Sequence, residues 1–294
     1  MKKNPIVAFL YDFDKTLCTT DMQNYSFIPS LGMEPGEFWT EANRFGHQER
    51  ADSVLAYMYI MLREAERRER AFTREELVEQ GRSIVLFPGV REWFSRINDF
   101  GASLGLQVEH YVISSGLREI IEGSGIAGAF KEIYASEFCY DEEGHPVWPK
   151  MAVNFTAKTQ FVYRINKGVL DVSDDKSLNA SMPDDSKRVP FPNMIYIGDG
   201  LSDVPCMKMM MAYGGEAIAV YQEGNRPGVE ELLRQGRVDF IFPADYREDT
   251  ALDRTVKNIL RKMAVRDALW TENEMQLKCI RGDLLPNQLG LFQN

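Results

Sequence analysis

The chain has 294 residues, 44% of them apolar, enough for one large domain or two around a well-buried core. Its formal net charge of -10 disfavours a nucleic-acid backbone or an anionic membrane as a partner, since both require clustered positive charge. No apolar run approaches the ~20 residues that span a bilayer, and the run after Lys2-Lys3 is broken too soon by Asp12 to be a secretion signal, so the cytosol is the expected location.

Ile6-Val7-Ala8-Phe9-Leu10-Tyr11 reads as a buried parallel strand, and strands of open α/β sheets deliver chemistry from their carboxyl ends. Asp12-Phe13-Asp14-Lys15-Thr16 follows at that exit. Residues two apart in an extended segment project toward the same space, so Asp12 and Asp14 can share one metal ion or one substrate group. The same string also reads as a solvated Asp-rich turn capping the strand.

Residues from Asp21 to Ile84 carry helical periodicity. Ser53 to Leu62 is apolar on most faces, Arg63 to Arg70 is rich in charge, and Thr73-Arg74-Glu75-Glu76 has the pattern of a capped helix start. The Arg and Glu residues read as a solvated face with i,i+4 pairs.

From Phe87-Pro88-Gly89 onward helices and strands alternate. A helix through Trp93 and Ile97 precedes the strand His110-Tyr111-Val112-Ile113, then come a helix through Ile120-Ile121 and a short strand near Ile133-Tyr134. Asp141-Glu142-Glu143-Gly144, between Phe138-Cys139-Tyr140 and Val147-Trp148, predicts a hairpin; a helix from Thr156 to Asn166 follows. Residues 168–190, rich in Asp, Ser and Pro, read as a long solvated loop.

Met194-Ile195-Tyr196-Ile197 is another apolar strand, ending in Gly198-Asp199-Gly200. The alternation closes with a helix from Val204 to Met211, a strand at Ala217 to Val220, a helix near Val229 to Leu233, a strand at Phe240-Ile241-Phe242 and a helix from Leu252 to Leu269. Met209-Met210-Met211 reads as core filler. The tail after Trp270 has no clear periodicity, leaving 271–294 unassigned. The whole predicts an α/β fold with a doubly wound, mainly parallel sheet. Cys18, Cys139, Cys206 and Cys279 lack C-x-x-C spacing, and His47, His110 and His145 lack ligand spacing, so no disulfide framework or zinc site is indicated.

Three further strings follow a strand or open a helix: Ser114-Ser115-Gly116, Lys158, and Gly198-Asp199-Gly200-Leu201-Ser202-Asp203. Taken singly, each has an ordinary reading: Ser114 as a helix N-cap, Lys158 as an exposed lysine, Asp199 and Asp203 as turn and cap residues. Taken in this order with Asp12 and Asp14, they resemble the four motifs of the haloacid dehalogenase superfamily, in its phosphatase branch. The resemblance covers about residues 6–245. The helical insertion resembles that superfamily's C1 cap, as in phosphoserine phosphatase relatives, which divides the chain into a Rossmann-like core (1–17 and 85–270) and a cap (18–84).

The resemblance implies a Mg²⁺-dependent phosphohydrolase acting on a small phosphomonoester through an aspartyl phosphate. Asp12 would be the nucleophile, and Asp14 would protonate the leaving oxygen and then activate water. Asp12, Asp199 and the backbone carbonyl of Asp14 would hold the metal, with Asp203 supporting it or holding Lys158. Lys158, Ser114, Ser115 and backbone N–H groups near Gly116 would bind the phosphoryl oxygens, with Thr16 bracing that loop.

Asp14 separates this branch from the superfamily's dehalogenases, which lack an acid there, and from its transport ATPases, which carry Thr. A phosphotransferase or phosphomutase keeps the same acids, and a non-catalytic phosphate binder is the alternative outside enzymes. Asp21 falls where phosphoserine phosphatases place a glutamate toward the substrate amine. Ala56 and Met58 stand where their carboxylate-binding arginine would be expected, which argues against phosphoserine. Tyr25, Arg44 and His47 are further candidate cap contacts.

Overall fold

The computed structural model describes residues 4–281. Seven strands form one sheet in the order β4-β3-β2-β1-β5-β6-β7. They are β1 Ile6–Tyr11, β2 Gln107–Leu117, β3 Glu132–Tyr140, β4 Pro146–Met151, β5 Met194–Gly198, β6 Glu216–Tyr221 and β7 Phe240–Pro243. All neighbours run parallel except β3 and β4, the two arms of the hairpin. Helices α1 Phe27–Ser30, α2 Pro35–Glu49, α3 Ser53–Arg67 and α4 Arg74–Gln80 lie in the chain between β1 and β2, followed by α5 Val90–Ser103. The others are α6 Arg118–Gly123, α7 Lys158–Lys167, α8 Asp175–Asn179, α9 Val204–Tyr213, α10 Arg226–Arg234 and α11 Ala251–Arg281.

The architecture follows from β1, which is fully buried from Val7 to Tyr11 and therefore needs cover on both faces. Alternation along the strand sends Val7, Phe9 and Tyr11 into a core with Trp93 and Ile97 of α5 and Val256 and Leu260 of α11. Ala8 and Leu10 enter a second core with Phe161 and Ile165 of α7 and Met207 and Met210 of α9. This is the doubly wound α/β sheet that the sequence predicts.

Between β1 and β2, Asp52 opens α3 by accepting from the N–H groups of Val54 (2.9 Å) and Leu55 (3.2 Å). Thr73 and Glu76 open α4 as a reciprocal capping box. The charged stretch of α3 is more than a solvated face: Glu64 is buried there and is held by Arg63 (2.9 Å), Arg67 (3.0 Å) and Arg68 (3.7 Å). Arg74 joins α4 to Glu122 of α6 at 2.5 Å.

Four segments differ from the sequence expectation. The strand read at His110 to Ile113 runs from Gln107 to Leu117, so Ser114 is a strand residue and not a helix N-cap; α6 opens only at Arg118. The β2–β3 register shifts between Ile113 and Leu117, an irregularity that polar serines inside a strand conceal. Ile133-Tyr134 and Phe138-Cys139-Tyr140 belong to one strand, pairing with β2 first and with β4 later.

Residues 168–190 are not simply solvated. Arg164, 1% exposed on α7, donates to the carbonyls of Asp171 (2.7 Å) and Val172 (2.9 Å) and pairs with Asp175 (2.7 Å), which opens α8. A buried guanidinium on the preceding helix leaves no trace in the composition of the segment it organises. The closing helix continues past Leu269 to Arg281; its last fully buried residue is Met263, and Val265, Leu269, Trp270 and Ile280 are exposed, which is why periodicity faded there. The rest of the unassigned tail, 282–294, and residues 1–3 lie outside the described residues. No described helix is long and apolar enough to cross a membrane.

Candidate active site

The register of β1 brings the acids together. Tyr11 pairs with Val112 of β2 on one side and with Ile197 of β5 on the other, so Asp12, one residue on, lies level with the end of β5 and with the point where β2 stops pairing with β1. Its N–H still donates to the Ile197 carbonyl (2.9 Å). One oxygen each of Asp12, Asp199 and Asp203 lies within 4.8 Å of the others. Lys158, the first residue of α7, is fully buried and reaches Asp12 Oδ1 at 2.8 Å and Asp203 Oδ1 at 2.7 Å, so it is not an exposed surface lysine.

Asp203 is the most heavily bonded of these acids. Oδ1 also accepts from the Tyr196 hydroxyl (2.7 Å), and Oδ2 accepts from the Asp199 N–H (3.2 Å). Its close fit depends on Gly198, because a Cβ there would stand 2.4 Å from Asp203 Oδ2.

Asp14 is partly buried, and its Oδ1 accepts from the Met22 N–H (2.9 Å). Met22 is wedged against Gly116: a Cβ on Gly116 would lie 2.1 Å from Met22 Cε and 3.0 Å from Asp14 Oδ2, and the Leu117 N–H points to the Met22 sulfur (3.1 Å). Ser114 is buried and its Oγ accepts from the Gly116 N–H (3.0 Å). The carbonyl of Ser115 accepts from Tyr57 of α3 (2.7 Å) and from Ser136 (3.1 Å). The hydroxyls of Thr16 and Ser115 are buried without a protein partner, and the Thr16 carbonyl accepts from Tyr246 (2.8 Å).

Behind Asp12, Trp93 Nε1 donates to the Tyr11 hydroxyl (2.9 Å), which lies 3.0 Å from His110 Nδ1; His110 Nε2 lies 3.0 Å from Asn98 Oδ1.

The family model of haloacid dehalogenase-like hydrolases matches residues 9–208, two thirds of the chain and every residue of this cluster. The chain belongs to this family. A protein of Borreliella burgdorferi is 26% identical over 278 residues, covering 85% of this chain and 95% of its own. A substrate-bound phosphoserine phosphatase superposes with a TM-score of 0.53 at 15% identity, over 84% of this chain and 97% of that one. A HAD-family hydrolase of Salmonella enterica serovar Typhi gives 0.54 at 14% identity, over 83% and 69%. These two likenesses establish the fold.

In this haloacid dehalogenase-like hydrolase the electrostatics are those of crowded carboxylates. Burial is the largest influence on Asp12 and pushes its pKa up, Lys158 pulls it down, and Asp203 pushes it up again. Asp199 is raised by burial and by Asp12 and Asp203. Asp14 is held well above the usual carboxylate range by burial, then by Asp21 and Asp12. Burial opposes the charge on Lys158, but Asp12 and Asp203 more than offset it and hold the ammonium above its ordinary value.

The donor set fits a hard divalent cation. Three carboxylates face one lysine, and among the described residues no cation lies within ion-pair distance of Asp199. Asp12 and Asp199 would hold such an ion through oxygen, while Asp203, with both oxygens engaged, would brace Lys158 and the Asp199 backbone.

The structure does not bring every candidate to the cluster. The Tyr25 hydroxyl accepts from the N–H groups of Thr19 (2.9 Å) and Thr20 (3.0 Å) and donates to the Val85 carbonyl (3.2 Å), so it braces the chain there. Arg44 is engaged with Glu41 (2.6 Å) and Gln48 (2.8 Å) on the exposed side of α2, and His47 sits in the last turn of that helix. Asp21 does lie beside the site, paired with Lys15 at 2.8 Å.

Sequence reasoning missed Tyr196, Met22, Lys15, Tyr57 and the pair Asp52–Asn154. Asn154 Oδ1 accepts from the Ala157 N–H (2.9 Å), its carbonyl accepts from the Lys158 N–H (3.1 Å), and its Nδ2 donates to Asp52 Oδ2 (2.7 Å). Asp52, just ahead of the apolar run from Val54, carries the signature of a helix N-cap that could have flagged it. Nothing local marks the other residues.

Proposed function

We propose that this hydrolase is a Mg²⁺-dependent phosphomonoesterase acting on a small phosphorylated metabolite, with residues 18–84 forming a cap over the core. The observation that carries the reading is the buried Asp12–Lys158–Asp203 arrangement beside Asp199, which no cation among the described residues pairs. A dianionic phosphoryl group needs a nucleophile surrounded by compensating cations, and these residue types supply it.

An Asp12 oxygen attacks phosphorus in line and the bond to the leaving oxygen breaks, while Asp14, whose pKa burial and the neighbouring acids push upward, donates a proton to the leaving group. Water then attacks the phosphorus of the aspartyl phosphate and gives its proton to Asp14, releasing inorganic phosphate and restoring the Asp12 carboxylate. Lys158 stays protonated and bonds a phosphoryl oxygen and Asp12. The buried hydroxyls of Ser115 and Thr16 lack partners that a phosphoryl oxygen or water would provide. Mg²⁺, held by Asp12, Asp199 and the Asp14 carbonyl, would offset negative charge and orient the phosphoryl oxygens.

The test is phosphate release from a panel of small phosphomonoesters with Mg²⁺ or EDTA. Release should require the metal and fall by about 10³-fold or more in Asp12→Asn and Asp14→Asn. Undiminished release in Asp12→Asn would overturn the nucleophile. Phosphoryl transfer to an added alcohol or sugar-phosphate acceptor would make the chain a transferase or mutase, and phosphate binding without turnover would make it a binding protein.

A further inference from the structure

Lys15 occupies an unusual place. It stands in the loop between β1 and the insertion with a left-handed φ of 58°, uncommon for a residue with a Cβ. Its ammonium lies 2.8 Å from Oδ1 and 2.8 Å from Oδ2 of Asp21, bridging both carboxylate oxygens. The pair belongs to the site: Met22, next to Asp21, donates its N–H to Asp14, and Lys15 feels the charges of Asp199 and Asp14 after that of Asp21. Both side chains remain partly exposed, at 42% and 30%.

A free carboxylate here would attract an ammonium on the substrate, and a free ammonium would attract a carboxylate. The chain pairs the two with each other. Six of the eight arginines of the insertion are held by glutamates of their own surroundings: Arg63, Arg67 and Arg68 by Glu64, Arg44 by Glu41, Arg74 by Glu122 and Arg82 by Glu79. The side chain that packs on Gly116 from the insertion is uncharged: Met22, whose N–H also donates to Asp14 and whose sulfur faces the Leu117 N–H, while Tyr57 bonds the neighbouring Ser115 carbonyl. Next to Met22, the buried Gln23 Oε1 has no protein partner, and a hydroxyl group of a ligand would satisfy it.

We infer that the leaving group is an uncharged, hydroxyl-bearing molecule of the polyol or sugar class, and that the Lys15–Asp21 pair enforces this by neutralising itself. The inference rests on the phosphatase reading above and adds the substrate class. It also predicts a reciprocal change of preference. Breaking the pair from either side leaves one unmatched charge beside Asp14, and that charge should recruit its complement.

The experiment compares kcat/KM for glycerol phosphate and a hexose phosphate with phosphoethanolamine (ammonium) and 3-phosphoglycerate (carboxylate), using p-nitrophenyl phosphate as an activity control. The wild type should prefer the uncharged pair. Lys15→Met should shift preference toward phosphoethanolamine by about tenfold relative to glycerol phosphate, and Asp21→Asn toward 3-phosphoglycerate by about as much. Lys15→Arg, which keeps the pair, should keep the wild-type ranking, and thermal melts verify that each variant is folded. Turnover of the control with a wild-type preference for charged leaving groups, or an equal loss on every substrate in Lys15→Met, would overturn the inference while leaving the phosphatase intact. No turnover of any compound, the control included, would instead strike at the phosphatase reading itself.

Discussion

Behind Asp12 an indole N–H can only donate, so Tyr11 accepts from Trp93. Burial holds the pKa of His110 down at about 3, against an ordinary 6.5, and keeps the imidazole neutral. A neutral ring that donates from Nε2 to Asn98 Oδ1 accepts the Tyr11 proton at Nδ1. Above pH 6.5 neither the folded nor the unfolded chain binds this proton. As the pH falls below that value the unfolded chain takes it up and the native one does not, so stability drops by about 1.4 kcal/mol per pH unit until the folded pKa is reached. His110→Gln, which keeps an acceptor and a donor but does not titrate, should flatten the unfolding free energy between pH 6 and pH 4 by about that slope; parallel denaturation curves for the two proteins would contradict a neutral buried imidazole. At this scale the sequence was informative where chemistry is written in short strings, as at Asp12, Asp14 and Asp199. It was silent on Tyr196 and His110, whose partners lie on Asp203 and on Tyr11, brought near only by folding.

Among the elements, α3 and α7 are joined at their N-termini. Asp52 caps α3 with one oxygen and receives Asn154 with the other, while Asn154 supports the first turn of α7 and the backbone of Lys158. A residue of the insertion thereby helps to place a lysine of the core. Asn154→Asp keeps the acceptor for the Ala157 N–H but sets a second carboxylate against Asp52. It should raise KM about tenfold, with a smaller effect on kcat, as the insertion loses its hold on the core. Adding Asp52→Asn restores one donor and one acceptor in the reverse sense and should recover most of the loss. Failure of the double variant to recover would show that the two residues act separately. Element boundaries were legible where a local signal exists, as in the Thr73–Glu76 capping box. They were not where a distant group supplies the order, as Arg164 does for residues 171–175, or where a helix such as α11 outruns its buried face.

At the level of the whole molecule, the doubly wound sheet could be read from the run Ile6 to Tyr11 and the strands that repeat it, because a strand without a polar face leaves few alternatives. The acidic cluster it assembles is a local source of instability in the folded chain. Asp199 has its pKa raised, so its contribution becomes less favourable as pH rises through and above the normal carboxylate range. In EDTA at neutral pH, Asp199→Asn should therefore melt at a higher temperature than the wild type. Mg²⁺ at about a hundred times its Kd should add about 2.7 kcal/mol to the wild type and little to the variant. Equal melting temperatures in EDTA, or an equal gain with Mg²⁺, would remove Asp199 from the cation site.

The placement of Trp93 also gives the protein an optical label. Of its four tryptophans, Trp93 is fully buried and bonded to the residue that precedes Asp12, whereas Trp148 and Trp270 are 70% and 61% exposed. A dry indole emits toward the blue and a wet one toward the red, so an aqueous quencher that silences the exposed pair leaves the signal of Trp93, next to the residue that precedes Asp12, and of the half-buried Trp39. The native fluorescence can thus follow events at that aspartate in an unmodified chain, with no dye attached.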